Sequence, residues 1–369
     1  MKLKRKELGE VLTPDWLVEK MIRQAGDLKG VKVADLGANK GQFLRKAIEI
    51  WDVNPEDWTL IEIQKRYHRF HRRYTGWKVV NELTEKVDLL IGNPPYNGNI
   101  DLKLIQKFKH LTEKILVVHP STWLIDLKGK SKLYNDFKKD LNLKSVEMFN
   151  GNPVFGIGLF VPCVITHIDN SHKGNINVKF FNDEYKVTDI SDITKFGKDW
   201  QYIVKHFVKT IESHIEEHGN FTNHTVNVVD DSKFYAQFAA IIGNWDKSYQ
   251  RMHRDNFYTL LIKNTELNKG IRGDFSRKNN PMPTFEFQLE TEVNNFINFC
   301  KSDFARFCLS IYKDGQNLSG GGALDMIPWM DFTEEWNDEK LFAHFEIDQE
   351  TQDYIRSFLP DYHGIRGNK

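Results

Sequence analysis

The sequence predicts an α/β protein: a mostly parallel, helix-covered sheet followed by a second domain of different character. Three observations carry this. From residue 31 to about residue 168, apolar strand-like runs alternate with segments of helical periodicity. The first of these strands ends in a glycine turn that opens a helix. An apolar run further on, Val87 to Gly92, ends in Asn93-Pro94-Pro95-Tyr96. Two prolines lack the donors that a strand interior needs, so the strand must stop at Gly92. Asn93 to Tyr96 then form a stiff loop at its carboxyl edge, where open α/β sheets bind ligands.

The elements follow in order. Thr13-Pro14-Asp15 reads as a helix start, with Thr13 as N-cap and Pro14 in the first helical position. Leu17, Val18, Met21 and Ile22 follow at helical spacing. Val31 to Gly37 reads as a strand, Ala38-Asn39-Lys40-Gly41 as a tight turn, and Gln42 to Trp51 as a helix. Such a unit suits a nucleoside cofactor approaching backbone at a helix N-terminus, and an ordinary βα turn fits it equally. It is neither the dinucleotide glycine fingerprint nor a P-loop. Trp58 to Glu62 reads as a second strand ending in an acid, at the distance from the turn where doubly wound folds place the carboxylate that accepts ribose hydroxyls. Lys65 to Thr75 reads as a basic, aromatic helix whose charges form a solvated face or touch DNA.

Strands are expected at 78–81, 88–92, 115–119, 145–149 and 162–168, the last two as an antiparallel pair. Helices are expected at 102–111 and 127–140. The alternation ends near residue 185, and the expected domains are 1–190 and 191–369. The second half is read as a long helix over 197–217, an irregular basic stretch over 220–280, and a helix over 290–312. A glycine loop at 319–323 and two short helices near 338–345 and 349–358 complete it.

Composition narrows the class. Hydrophobic residues at 40% and charged residues at 28% describe a globular chain. Lys+Arg 51 against Asp+Glu 51 gives no global charge, so any nucleic-acid surface must be local. Cys163, Cys300 and Cys308 are too few and too scattered for a disulfide framework or a zinc site, and the histidines show no ligand spacing, so no metal is expected. The basic start lacks an apolar segment behind it and nothing reaches the length of a membrane span, so no signal peptide and no membrane partner are expected.

With the glycine turn, Glu62 and Asn93 to Tyr96 in hand, the chain resembles N6-adenine DNA methyltransferases whose cofactor motif precedes Asn-Pro-Pro-Tyr and whose target-recognition domain is C-terminal. The resemblance covers roughly residues 8–170 by motif order. The tail, with Ile327 to Phe332, Trp336 and Leu359 to Tyr362, looks like the end of restriction-modification methylases. The resemblance implies a Rossmann-like S-adenosylmethionine-dependent sheet with an α+β or mainly helical recognition domain, S-adenosylmethionine as methyl donor, and double-stranded DNA as partner. It implies cofactor contacts from Thr13 within Gly9 to Pro14, from Asp35, Gly37, Asn39 and Gly41 of the turn, from Glu62, from Glu82 toward the adenine, and from Asn93. Asn39 stands where the family has a small residue, and Asn tolerates positive φ better than most. A second stacking aromatic is implied after the sixth strand, with Phe155 and Phe160 as candidates. The basic stretch with Lys269, Arg272 and Arg277 is the expected DNA surface. The setting implied is the cytoplasm of a bacterial, archaeal or phage-infected cell. A separate cognate restriction endonuclease is the implied protein partner, and no nuclease domain is expected ahead of Gly9.

The chemistry follows from the loop. The exocyclic amine of adenine is a poor nucleophile, because its lone pair is delocalised into the ring. Two acceptors on its N–H groups localise that pair, and the Asn93 side-chain oxygen and the Pro94 carbonyl are the candidates. Pro95 restricts Pro94 to an extended conformation, and Tyr96 offers a face for stacking. Such a base must leave the duplex. RNA adenine and a protein glutamine amide present the same planar nitrogen and stand as alternatives. A binding protein on an inactive scaffold is a third, favoured only by Asn39.

Overall fold

The computed structural model describes residues 12–125, 127, 131–139, 141–156, 162–226, 233–242, 255–262, 283–312 and 324–359. By compactness the chain divides into two units, one of residues 1–125 and 129–197, the other of 126–128 and 198–369.

The first unit holds strands β1 (Val33–Leu36), β2 (Trp58–Ile61), β3 (Val79–Val80), β4 (Val87–Gly92), β5 (Thr112–Pro120), β6 (Leu143–Asn150), β7 (Pro162–Asp169), β8 (Ile176–Phe180) and β9 (Asp183–Val187). Its helices are α1 (Asp15–Ala25), α2 (Gln42–Trp51), α3 (Lys65–Tyr74), α4 (Ile100–Phe108), α5 (Thr122–Ile125), α6 (Lys132–Lys138) and α7 (Gly151–Phe155). The strands form one nine-stranded sheet in the order β3-β2-β1-β4-β5-β7-β6-β8-β9. β3 to β5 pair in parallel along that order, and β7 runs antiparallel between β5 and β6. This is the Rossmann-like sheet the sequence predicts, including the antiparallel β6–β7 pair. β8 and β9 extend it as a hairpin on β6.

The chain leaves β1 toward β2 and β3, then returns to place β4 on the other side of β1. That reversal is a topological switch point, where such sheets open a crevice at their carboxyl ends. β1 and β4 are all but continuous hydrophobic runs because both faces of a parallel sheet are covered. Leu17, Val18, Met21 and Ile22 of α1 pack with Phe43, Leu44 and Ala47 of α2 over Val33, Leu89 and Ile91. Elsewhere in this unit His119 of β5 joins Asp101 of α4 (Nδ1 to Oδ2, 3.0 Å) and Thr166 of β7 (Nε2 to Oγ1, 2.9 Å). All three are buried. The ring also stacks on Trp123 at 5.6 Å, so Trp123 belongs to the core.

The second unit is α+β. A π-helical turn (Trp200–Val204) leads into α8 (Lys205–His218), where one helix is expected from 197. β10 (Phe234–Ile242), β11 (Asp255–Ile262) and β12 (Thr284–Phe287) form an antiparallel sheet in the order β11-β10-β12. The stretch read as irregular therefore contains two strands. Their aromatic and branched residues were masked by the Asn-rich and basic residues between and after them. α9 (Glu290–Lys301) and α10 (Asp303–Ile311) replace the single helix expected, because Ser302 leaves helical geometry and its hydroxyl accepts the Ala305 N–H, starting a new helix. α11 (Asp338–His344) and α12 (Gln349–Phe358) match the two tail helices. Phe221, Phe285, Phe296 and Phe299 form an aromatic core. Trp329 packs on that core and stacks on His224 at 4.1 Å.

In the first unit, the helix expected over 127–140 is described only as α6, which Ser131 caps by accepting the Tyr134 N–H. Among the described residues no helix is long and apolar enough to cross a membrane, and no group of three or more His, Cys, Asp or Glu could hold a metal ion.

Gly92 tests the switch point. Its φ is 149°, and a Cβ there would lie 2.3 Å from the Leu36 carbonyl oxygen. Gly98, at φ 66°, faces open space. Gly98→Ala should cost about 1–2 kcal/mol of unfolding free energy in urea, and Gly92→Ala about 3 kcal/mol or more. Equal losses would show that β1 and β4 can separate without cost.

Candidate functional site

The site lies where the β1 and β4 ends meet. Leu36 stands opposite Gly92 in the ladder. A Cβ on Gly37 would come within 2.8 Å of the Asn93 carbonyl oxygen, at a φ of 78° that side chains rarely adopt. The glycine turn and the Asn-Pro-Pro-Tyr loop are thus in backbone contact. Only a residue without a side chain allows that approach.

Asn93 and Pro94 are buried at the strand end. The Asn93 amide is held at both atoms. Its Nδ2 donates to Thr13 Oγ1 at 2.9 Å, and its Oδ1 accepts the Tyr96 hydroxyl. In this arrangement the Thr13 hydroxyl oxygen accepts from the nitrogen end of the amide, which leaves Oδ1 turned the other way. The Thr13 carbonyl in turn accepts from Gln42 Nε2 at 3.2 Å, tying the same residue to the first turn of α2. Thr13 therefore does not cap α1. The helix starts at Asp15 behind Pro14, and Thr13 is buried against the loop. Tyr96 also lies with its hydroxyl 3.4 Å from the Val118 carbonyl. Burial, then the charges of Cys163 and Asp101, push this phenol well above its ordinary range, so it stays a donor. Pro94 O accepts no hydrogen bond among the described residues.

The turn is braced from α3. Gly37 and Ala38 donate to the Ile61 carbonyl at 3.1 and 3.2 Å. Asn39 adopts φ 48°, the left-handed conformation expected of it, and its Nδ2 donates to the Gly37 carbonyl at 2.9 Å. Glu62 is buried, and its two oxygens accept the Asn39 N–H (3.1 Å) and the Gln64 N–H (2.8 Å). Sequence reasoning missed His71. It is fully buried, donates from Nε2 to the Asn39 carbonyl at 2.9 Å, and stacks on Trp77 at 5.7 Å. Burial pulls its pKa below the usual value, so the ring is neutral at pH 7.

Asp35 is the unexplained charge. It is fully buried at the end of β1, and neither carboxylate oxygen has a partner. Burial, and then the nearby Glu62, raise its pKa well above the carboxylate range. A buried acid without a partner either keeps its proton or awaits a cationic or donor group.

The remaining expected residues are placed as follows. Gly41 precedes α2 in left-handed conformation, beneath Trp77. Glu82 follows β3 but is exposed, with its carboxylate 2.7 Å from Lys107 Nζ. Phe155 ends α7, packed with Phe149 against the main core of the first unit. Phe160, Lys269, Arg272 and Arg277 lie outside the described residues, as does Gly9. The structure thus gathers Thr13, Asp35, Gly37, Asn39, Gly41, Glu62 and Asn93 to Tyr96 at one sheet edge.

No family model and no curated protein matches the chain. Among solved structures it is similar to the modification subunit of a putative type I restriction enzyme from Vibrio vulnificus YJ016, at 16% identity and a TM-score of 0.38, over 47% of this chain and 48% of that one. It is similar to a type I restriction-modification methyltransferase subunit from Streptococcus thermophilus at 12% identity and TM-score 0.38, over 50% and 52%. It is also similar to a putative RNA methyltransferase from Pyrococcus horikoshii at 18% identity and TM-score 0.35, over 46% and 91%. The matches span about half the length of the two restriction-system subunits. Likenesses at these scores do not bear on activity.

Asp35 gives a test with a definite sign. A carboxyl whose pKa is raised by folding gains stability for the protein as pH falls from its folded value toward the ordinary carboxylate range, and loses it as pH rises. Asp35→Asn should therefore be more stable than the parent at neutral pH, by about 1–3 kcal/mol, with the difference shrinking on acidification. Urea unfolding across this pH range checks it. Parallel curves would mean that Asp35 is not the strained group.

Proposed function

We propose that the protein is a site-specific DNA adenine N6-methyltransferase that uses S-adenosylmethionine. The observation that carries this reading is the oriented Asn93 amide beside the Pro94 carbonyl, at the switch point of the sheet. S-adenosylmethionine, when bound, supplies an electrophilic methyl group. The residues present suit that cofactor. Glu62 is a buried carboxylate at the end of β2, a group of the kind that accepts ribose hydroxyls, and exposed Ile63 beside it offers an apolar surface to a flat ring. Asp35 is an unpartnered acid near a site for a cationic ligand.

The chain's own residues prepare the amine. Oδ1 of Asn93 and the Pro94 carbonyl accept its two N–H groups and draw its lone pair out of the ring. Thr13 holds the amide so that oxygen, not nitrogen, meets the amine. A carbonyl oxygen has two lone pairs, so Oδ1 can take an amine proton beside the Tyr96 hydroxyl or in its place. When that hydroxyl is released, the Tyr96 ring becomes available to stack on the base, at about 1–3 kcal/mol. No strong base is needed, because the methylated amine is cationic and loses a proton readily to solvent. Target recognition is assigned to the second unit, including Lys269, Arg272 and Arg277. A separate restriction endonuclease is the proposed protein partner.

Purified protein with methyl-labelled S-adenosylmethionine should label adenine N6 in duplex DNA. Asn93→Ala should abolish labelling while cofactor affinity, measured by calorimetry, is kept. Thr13→Val should lower kcat up to about 100-fold, as for a small misplacement of a positioned group, and Thr13→Ser should restore it. Label found only in RNA or protein would replace the substrate, and an active Asn93→Ala would remove the acceptor role.

A further inference from the structure

The exposed face of α3 is not used by the chemistry above. Lys65, Arg66, Arg69, Arg72 and Arg73 are all exposed, and at 100° per residue they fall within an arc of about 120°. The opposite side carries buried Tyr67 and His71, the residue that braces the glycine turn. Lys40, on that turn, lies over the Phe70 ring at 5.7 Å and is itself exposed, so the positive surface continues from helix to turn. Arg45 donates to the Lys40 carbonyl at 2.7 Å and adds a further exposed cation.

This arrangement does not serve the helix. α3 contains no acid, and among the described residues no carboxylate pairs with Arg69, Arg72 or Arg73. Arg69 faces a like charge at i−4, i−3, i+3 and i+4 (Lys65, Arg66, Arg72, Arg73), each pair unfavourable in a helix. Lys65 and Arg66 stand in the first turn, where the helix dipole disfavours cations. A sulfonium cofactor is itself cationic and gains nothing from them. In a chain whose formal net charge is zero, the exposed guanidinium groups of Arg69, Arg72 and Arg73 make a local positive surface that complements a polyanion.

We propose that the exposed face of α3, with Lys40, is a docking surface for the phosphate backbone of duplex DNA. The five helical cations span about 12 Å, a length along which duplex DNA carries about seven phosphate charges. Guanidinium groups suit this role because their forked donors match phosphate oxygens. The contacts carry no sequence information; they set register and hold the strand while the second unit reads bases. The proposal rests on the nucleic-acid reading of the protein only for the identity of the polyanion.

The test is the salt dependence of binding by the full chain. Fluorescence anisotropy with a labelled duplex DNA and a labelled single-stranded RNA is measured over a range of potassium chloride, for the parent and for the combined Arg69→Gln, Arg72→Gln, Arg73→Gln variant. The slope of log affinity against log salt should fall in magnitude by about two to three units, equally for unrelated sequences. Affinity at low salt should drop at least about tenfold. A change on DNA supports the proposal, and a change on RNA alone overturns it. An unchanged slope on DNA, or no binding of DNA by the parent, also overturns it. Urea midpoints and S-adenosylmethionine affinity should match the parent, which separates lost contacts from lost fold. Methylation of DNA with an unchanged slope would reject this surface and keep the function, whereas an altered slope without methylation would do the reverse.

Discussion

Everything at the candidate site depends on one close approach, that of the β1 end to the β4 end. The Gly37 and Gly92 positions leave no room for a side chain, because each faces the other strand's backbone. That approach puts Asn93 beside the glycine turn. Thr13, arriving from the chain ahead of α1, then closes the gap by accepting from the Asn93 amide while its carbonyl takes Gln42. Three segments far apart in sequence are thereby locked around one amide. A displacement of any of them would misdirect Oδ1, so the geometry of the acceptor is a property of the sheet and not of the loop alone.

The electrostatic layout divides in the same place. Inside the crevice are acids, Asp35 without a partner and Glu62 bonded to the turn's N–H groups. Outside, on α3, are exposed cations, and among the described residues no carboxylate pairs with Arg69, Arg72 or Arg73. His71 lies between them, neutral, with one nitrogen on the Asn39 carbonyl. A cationic small ligand within and a polyanion without are the two partners this division suits. A chain of zero formal net charge gives no hint of it in its totals.

Much of this was legible in the sequence, and the reasons are local. Two prolines after an apolar strand force a strand end, and β4 stops at Gly92. A strand, a glycine turn and a helix announce β1 and α2, and Asn39 takes the positive φ its side chain tolerates. What was not legible is what long-range contact decides. Thr13 reads as a helix cap because Thr-Pro-Asp is a capping pattern, yet tertiary contact places it on Asn93, 80 positions away. His71 reads as one more residue of a basic helix, and no local pattern shows its reach to Asn39. Tyr96 reads as a free aromatic, while its hydroxyl is engaged with Asn93. β10 and β11 were hidden because polar segments between and after them outweighed two short apolar runs. The split of α9 from α10 turns on the single residue Ser302.

The central claim is that the Asn93 amide, oriented by Thr13 beside the Pro94 carbonyl, activates the amine of adenine in DNA. The most direct measurement is modified-base sequencing of DNA from a host lacking its own adenine methylation and expressing the protein. The account predicts N6-methyladenine confined to one sequence motif with the parent chain, and none with Asn93→Ala. Host DNA without N6-methyladenine, or with the same methylation from both chains, would contradict it.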